Sequence, residues 1–131
     1  MKTKVYDLMR EQVITVQPHH TVDRVRHLIN TNHIHAIPVV DSADEIVGIV
    51  SSIDLVPSLR GGTPVSQIMT RKVYVVPQAE DIHTAARVMR QHHIHHLVVT
   101  NEHKVVGMLS SFDLLRLVEE NRFATKKRAR T

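Results

Sequence analysis

Apolar and polar positions alternate along this chain in two sets that nearly superimpose. A β-branched run, VITV at 13–16, is closed by Pro18, and a second, VYVV at 73–76, is closed by Pro77; both predict short strands. Thr21 and Asp81 then stand at N-cap positions ahead of amphipathic helical runs. The first run carries Val22, Val25, Leu28 and Ile29, the second Ile82, Ala85, Ala86 and Met89. Two apolar stretches joined by a polar turn follow in each set, IPVV-DSADE-IVGIV and LVV-TNEHK-VVGML, lengths that suit a β-hairpin. A last helix is expected to begin at SSIDL and at SSFDL.

The pattern is therefore an internal duplication, which outranks any local reading. VYDLMREQVITVQP matches VSQIMTRKVYVVP and NHIHAIPVVDSADEIVGIVSSIDLV matches HHIHHLVVTNEHKVVGMLSSFDLL, at an offset of 59 or 60 residues. Repeats are expected over 1–60 and 61–120, with PSLRGGTP at 57–64 as the linker and 121–131 as a separate tail. Each half is a β-α-β-β-α unit of about fifty residues, too small to bury its sheet well alone. The fold class expected is α/β (α+β), two such units packed face to face.

Composition narrows the chemistry. The absence of cysteine excludes disulfides and thiolate metal sites. The start of the chain has no apolar stretch of signal-peptide length and nothing later approaches a membrane span, so a cytoplasmic location and no membrane partner are expected. The net charge of +4 is a property of the tail: Arg122, Lys126, Lys127, Arg128 and Arg130 lie there, leaving twelve basic against 13 acidic residues before it. A solvated, disordered end is the simplest reading of that tail. Nucleic-acid binding through KKRART is an alternative, weakened because the aromatics are only Tyr6, Tyr74, Phe112 and Phe123.

The most repeated polar signature is Gly-h-h-Ser-Ser-h-Asp, with h apolar, at Gly48 to Asp54 and Gly107 to Asp113. Ser51 with Asp54, and Ser110 with Asp113, have capping-box spacing. The same geometry offers helix-end amides to an anion and a carboxylate to a pair of ribose hydroxyls. Both roles are compatible. No Gly-rich phosphate loop and no Gly-x-Ser-x-Gly elbow is present, so catalysis is not expected.

These two matched motifs in register, spanning Val5 to Val118, resemble a tandem pair of cystathionine-beta-synthase (CBS) domains, a Bateman module. The resemblance implies repeats packed through their sheets about a pseudo-twofold axis, with two clefts that often hold an adenine nucleotide or adenosyl ligand (AMP, ADP, ATP, S-adenosylmethionine). It implies no required cofactor, a stand-alone regulatory role, a homodimer through the terminal helices and an effector protein as partner. By the same resemblance Asp54 with Ser51, and Asp113 with Ser110, would meet the ribose and phosphate. In nucleotide-binding members a His-Arg pair before the central strand reaches the phosphates. His35 with Ala36 and His95 with His96 stand there, so the second cleft is expected to be the better nucleotide site.

The histidines keep other readings open. His33, His92 and His93 fall at predicted helix C-termini, where an imidazolium suits the last carbonyls. His33 with His35, or His93 with His95, would share a side of an extended chain and could serve a metal or pH sensor. Zinc normally needs three or four ligands, however, and no carboxylate stands at helpful spacing. If imidazoles contact phosphate, binding should tighten as pH falls from about 8 to 6.

Overall fold

The computed structural model describes residues 3–129, with side chains as far as residue 120. In chain order the elements are α1 (Val5–Leu8), α2 (Val22–Asn32), β1 (Ala36–Val40), β2 (Ile46–Ser51), β3 (Val75–Pro77), α3 (Ile82–His92), β4 (His96–Asn101), β5 (Lys104–Ser110) and α4 (Ser111–Ala129), with 3-10 turns at Ser52–Asp54 and Val65–Gln67. The fold is mixed α/β, as expected.

Local chemistry sets most of these elements. Thr21 Oγ1 accepts from the Arg24 amide at 3.3 Å and the Asp81 carboxylate from the His83 amide at 2.8 Å, so both expected N-caps are in place. β1 pairs antiparallel with β2 and β4 with β5, each hairpin carrying a bulge, at Val39/Val40 and at Val99/Thr100. At the second turn Glu102 and His103 both have positive φ, the signature of a tight hairpin turn whose twist matches its strands. In the first, Asp41 Oδ1 accepts from the amides of Ala43 and Glu45, at 2.9 and 3.0 Å.

Each repeat lends its opening turn to the other. Val5 is fully buried among Val76, Ile82, Ala85, Met89, Leu97, Val99 and Leu109, all second-repeat residues. Val65 is fully buried among Val16, Val25, Ile29, Ile37, Val39 and Val50 of the first. Backbone bonds fix both insertions: the Val5 amide donates to Glu80 O at 2.9 Å and the Val65 amide to His20 O at 2.8 Å. Further on, Arg10 and Met108 exchange amide-to-carbonyl bonds at 2.8 and 3.0 Å, and Thr70 and Ile49 do the same at 2.9 and 3.0 Å. The two cores therefore do not divide at residue 60, although the sequence repeats there. The equivalence of these contacts gives the pair its pseudo-twofold symmetry.

The same exchange explains the motif glycines. A Cβ on Gly48 would lie 2.5 Å from Met69 Sδ, and one on Gly107 would lie 2.6 Å from Met9 Sδ and 3.0 Å from the Arg10 carbonyl oxygen. Only a hydrogen fits where the other repeat's methionine and backbone approach.

Three expected elements differ. VITV at 13–16 forms no strand; only Val16 pairs, its amide donating to Pro38 O at 3.1 Å and its carbonyl accepting from Val40 at 2.8 Å. In the second repeat the Val98 amide donates to Tyr74 O at 3.2 Å, and β3 forms over Val75–Pro77. Pro38 stands where Val98 does and has no N–H to give to Ile14 O, so the first strand loses that rung. The helix expected at SSIDL is a single 3-10 turn, because Pro57 bars the helical conformation to Val56 and stops propagation. Lastly, α4 does not end at residue 120: backbone 121–129, expected to be a disordered end, continues the helix in a stretch without Gly or Pro and rich in Ala, Lys and Arg.

Gly107→Ala is expected to lower the unfolding free energy by about 1–3 kcal/mol in urea titrations. Double-mutant cycles should show coupling for Gly48 with Met69 and a smaller coupling for Gly107 with Met9, because the Arg10 carbonyl still obstructs the second site. Strictly additive losses in both pairs would contradict the exchanged packing.

Candidate functional site

The loss of strand pairing before Val16 leaves Gln12, Val13 and Ile14 beside the start of β1, and a cavity of about 180 Å³ opens there. One wall is the α2–β1 turn, His33 to Ala36; the other is Met108 and Ser110 of β5 with Phe112 and Asp113 of α4. Arg10 and His96 complete the lining. Both repeats thus contribute to one cleft.

Asp113 is its best-anchored polar group, 4% exposed. Its Oδ2 accepts from the Ser110 amide at 2.8 Å and from Ser110 Oγ at 3.0 Å, the capping arrangement foreseen for this motif. Its Oδ1 faces two guanidinium groups, Arg116 at 3.6 Å and Arg10 at 3.9 Å. Ser51 and Asp54 reproduce the carboxylate contacts at 2.8 and 3.0 Å, but neither lines this cavity. The half-buried Asp54 begins only a 3-10 turn.

The histidines part company. The α2–β1 turn is made possible by His33 in the left-handed conformation, φ 53°, and His93 repeats it at φ 53° after α3. Both close their helices through the backbone amide, to Ile29 O and Met89 O, so the imidazoles are not what caps them. His33 and His35 line the cleft, whereas His92 stacks on Tyr74 with ring centroids 4.1 Å apart. His96 lines the cleft and His95 does not; His95 Nδ1 lies 3.4 Å from Ser111 Oγ. His35 and Asp113, from different repeats, therefore line the same cleft.

Electrostatics make His96 a neutral group near pH 7. Burial, then His35 and His95, with a further push from Arg10, lower its pKa below the ordinary 6.5, against the opposing pull of Asp113. His20 is also lowered, by burial and then by Arg24 and His19; its Nδ1 accepts the Gln17 amide at 2.9 Å, which requires an unprotonated nitrogen. Among the described residues no group of three or more His, Asp or Glu is arranged to hold a metal ion. No helix there is long and apolar enough to cross a membrane. The side chains of the basic tail lie outside the described residues.

Two lining residues escape a reading of the sequence. Arg10 is hidden in an opening turn whose counterpart is Thr70, and that difference between repeats is its only signal. Phe112 occupies an apolar position of the motif and reads as core, yet it is 71% exposed beside the cleft.

This chain belongs to the CBS domain family, whose profile matches it twice, over residues 5–61 and 65–120. It is a tandem CBS pair. Its sequence is 32% identical over 120 residues to the homoserine O-acetyltransferase of Methanohalobium evestigatum, covering 90% of this chain and 24% of that enzyme. The chain spans about a quarter of the length of the homoserine O-acetyltransferases it matches. It is 29% identical over 119 residues to the CBS domain-containing protein YhcV of Bacillus subtilis, covering 86% of this chain and 83% of that protein. The solved CBS domain pair of protein MJ0100, in complex with 5′-methylthioadenosine and S-adenosyl-L-methionine, superposes with a TM-score of 0.85 at 26% identity, covering 92% of this chain and 99% of that one.

The lowered pKa of His96 has a defined effect on stability. As pH falls through about 6.5 the unfolded chain takes up a proton that the folded ring refuses, so stability present above that value is lost progressively below it. In urea titrations between pH 7.5 and 5.5, His96→Gln is expected to lose less stability than the parent, the remaining slope belonging in part to His20. An identical slope in both would remove this account of His96.

Proposed function

We propose that this repeat pair is a regulatory module that senses an adenosine-based ligand, of the AMP, ADP, ATP or S-adenosylmethionine class, in the cleft at Asp113. The observation that carries the reading is the convergence there of a buried, pre-oriented carboxylate, an exposed aromatic ring, a guanidinium and imidazoles from both repeats, in a fold whose solved relative holds two adenosyl compounds. Asp113 Oδ1 would accept from a ribose diol while Oδ2 stays bound to Ser110. Phe112 offers a face for the base. His35, His96 and Arg10 stand toward a charged 5′ substituent.

Several features support sensing rather than catalysis. Ser110 Oγ donates to Asp113 and not to an imidazole, so serine, histidine and carboxylate are not assembled as a nucleophilic relay. A ligand touching both repeats would favour one angle between them, given unequal affinity for two arrangements. Phe112, Leu115 and Val118 are exposed along one side of α4, a surface suited to a second copy of this chain. Through that pairing or through an effector protein the change would leave the module. The lowered pKa of His96 leaves the unliganded ring neutral near pH 7, so a phosphate that charges it would bind more tightly as pH falls.

Thermal unfolding with AMP, ADP, ATP and S-adenosylmethionine tests the reading. A ligand present at a hundredfold its Kd adds about 2.7 kcal/mol to stability. The shift, measured against each variant's own ligand-free midpoint, should vanish in Asp113→Ala and persist in Asp54→Ala. A shift with none of the four, or one unaffected by Asp113→Ala, would sink it.

A further inference from the structure

The two clefts of a symmetric pair should be lined alike, and the exchange of Arg10 for Thr70 is one of the positions at which they are not. Arg10 and Thr70 are equivalent by their matched backbone pairing with Met108 and Ile49. The first repeat therefore places a cation where the second places a hydroxyl. The Arg10 side chain is 63% exposed, and its ion contact, to Asp113 Oδ1, is long at 3.9 Å. Arg10 stands on the border between the cleft and an outer hollow of about 690 Å³, the two sharing Arg10, Gln12, Ile14 and Ile34. The guanidinium is held loosely at the mouth of the site, with room beyond it.

Among the described residues, Asp113 Oδ1 is the only carboxylate oxygen of the cleft not already bound to Ser110. A ribose diol that took it would displace Arg10 from a weak contact. The released planar fork is well suited to a phosphate, which it can engage through two parallel hydrogen bonds. A sulfonium or other cationic 5′ group would meet it as a like charge. Arg116, the second cation on Asp113, donates instead to Leu8 O at 3.1 Å and does not line the cleft, so it remains on the carboxylate as a structural partner.

We propose that Arg10 is the specificity-determining residue of this cleft, selecting adenosine ligands with an anionic 5′ group over those with an uncharged or cationic one. The inference rests on the adenosyl reading above. Calorimetric titration of AMP, adenosine and S-adenosylmethionine into the parent chain and into Arg10→Thr, Arg10→Lys and Arg116→Ala separates the two. Arg10→Thr copies the other repeat's residue and keeps the backbone pairing.

In the parent chain AMP should bind more tightly than either other ligand. Arg10→Thr should weaken AMP roughly tenfold to a hundredfold, the loss of one charge-assisted contact, while adenosine is unchanged or tighter. Arg10→Lys should retain part of the AMP preference, and Arg116→Ala should move AMP and adenosine by the same factor. Equal weakening of AMP and adenosine by Arg10→Thr, or no AMP preference in the parent chain, overturns the role of Arg10 while leaving the adenosyl reading intact. Binding of none of the three removes both.

Discussion

The rest of this structure depends on the reciprocal burial of Val5 and Val65. Each valine fills the core of the repeat to which it does not belong in sequence, and each drags its turn, its methionine and its next residue across the interface. The motif glycines are empty because a methionine from the other repeat lies over them. The residues after the exchanged turns become the edges of the opposite hairpins. A cleft lined by both repeats is the geometric result of this crossing, since the chain must return from β5 to its own β1 and passes over the gap in doing so.

Symmetry of that kind would give two equal clefts, and a single missing proton separates them. Val98 supplies an amide to Tyr74 O; Pro38 has none for Ile14 O. One side zips into β3, with Tyr74 just before it stacked on His92, and the other leaves Ile14 unpaired as a wall of the cavity. The difference in side chains then compounds the difference in backbone. Arg10 faces Thr70, Phe112 faces Ile53 and His96 faces Ala36 at matched positions. Duplication supplied the frame, and substitutions at the rim gave its two faces separate chemistry.

Most of the frame is legible in the sequence, for local reasons. The N-caps Thr21 and Asp81, the two hairpins and the Ser-x-x-Asp caps all depend on residues within a few positions of one another. What escaped depends on partners far along the chain or on what a residue lacks. VITV is as β-branched as VYVV, and only the absent amide of Pro38 denies it a full strand. Likewise SSIDL and SSFDL begin alike, and Pro57 decides that one stops after a turn. In the site, Asp113, Ser110, His35 and His96 line one cleft, with His35 coming from the other repeat, while Ser51, Asp54 and His95 lie off it; which repeat's histidine stands beside which repeat's carboxylate is set by the crossing of the chain, not by local sequence. Side-chain periodicity says which face of an element is apolar; it does not say which repeat will cover it.

The exchanged turns also impose an order on events during synthesis. The pocket that receives Val5 is built from residues between Val76 and Leu109, so the Val5 turn has no place to dock until residues as far as Leu109 have left the ribosome. The first repeat likewise lacks Val65 until the linker is out. Contacts between such distant segments close late, because the loop entropy is paid before they repay it. The cleft at Asp113, lined by residues of both repeats, therefore forms only after both have been synthesised.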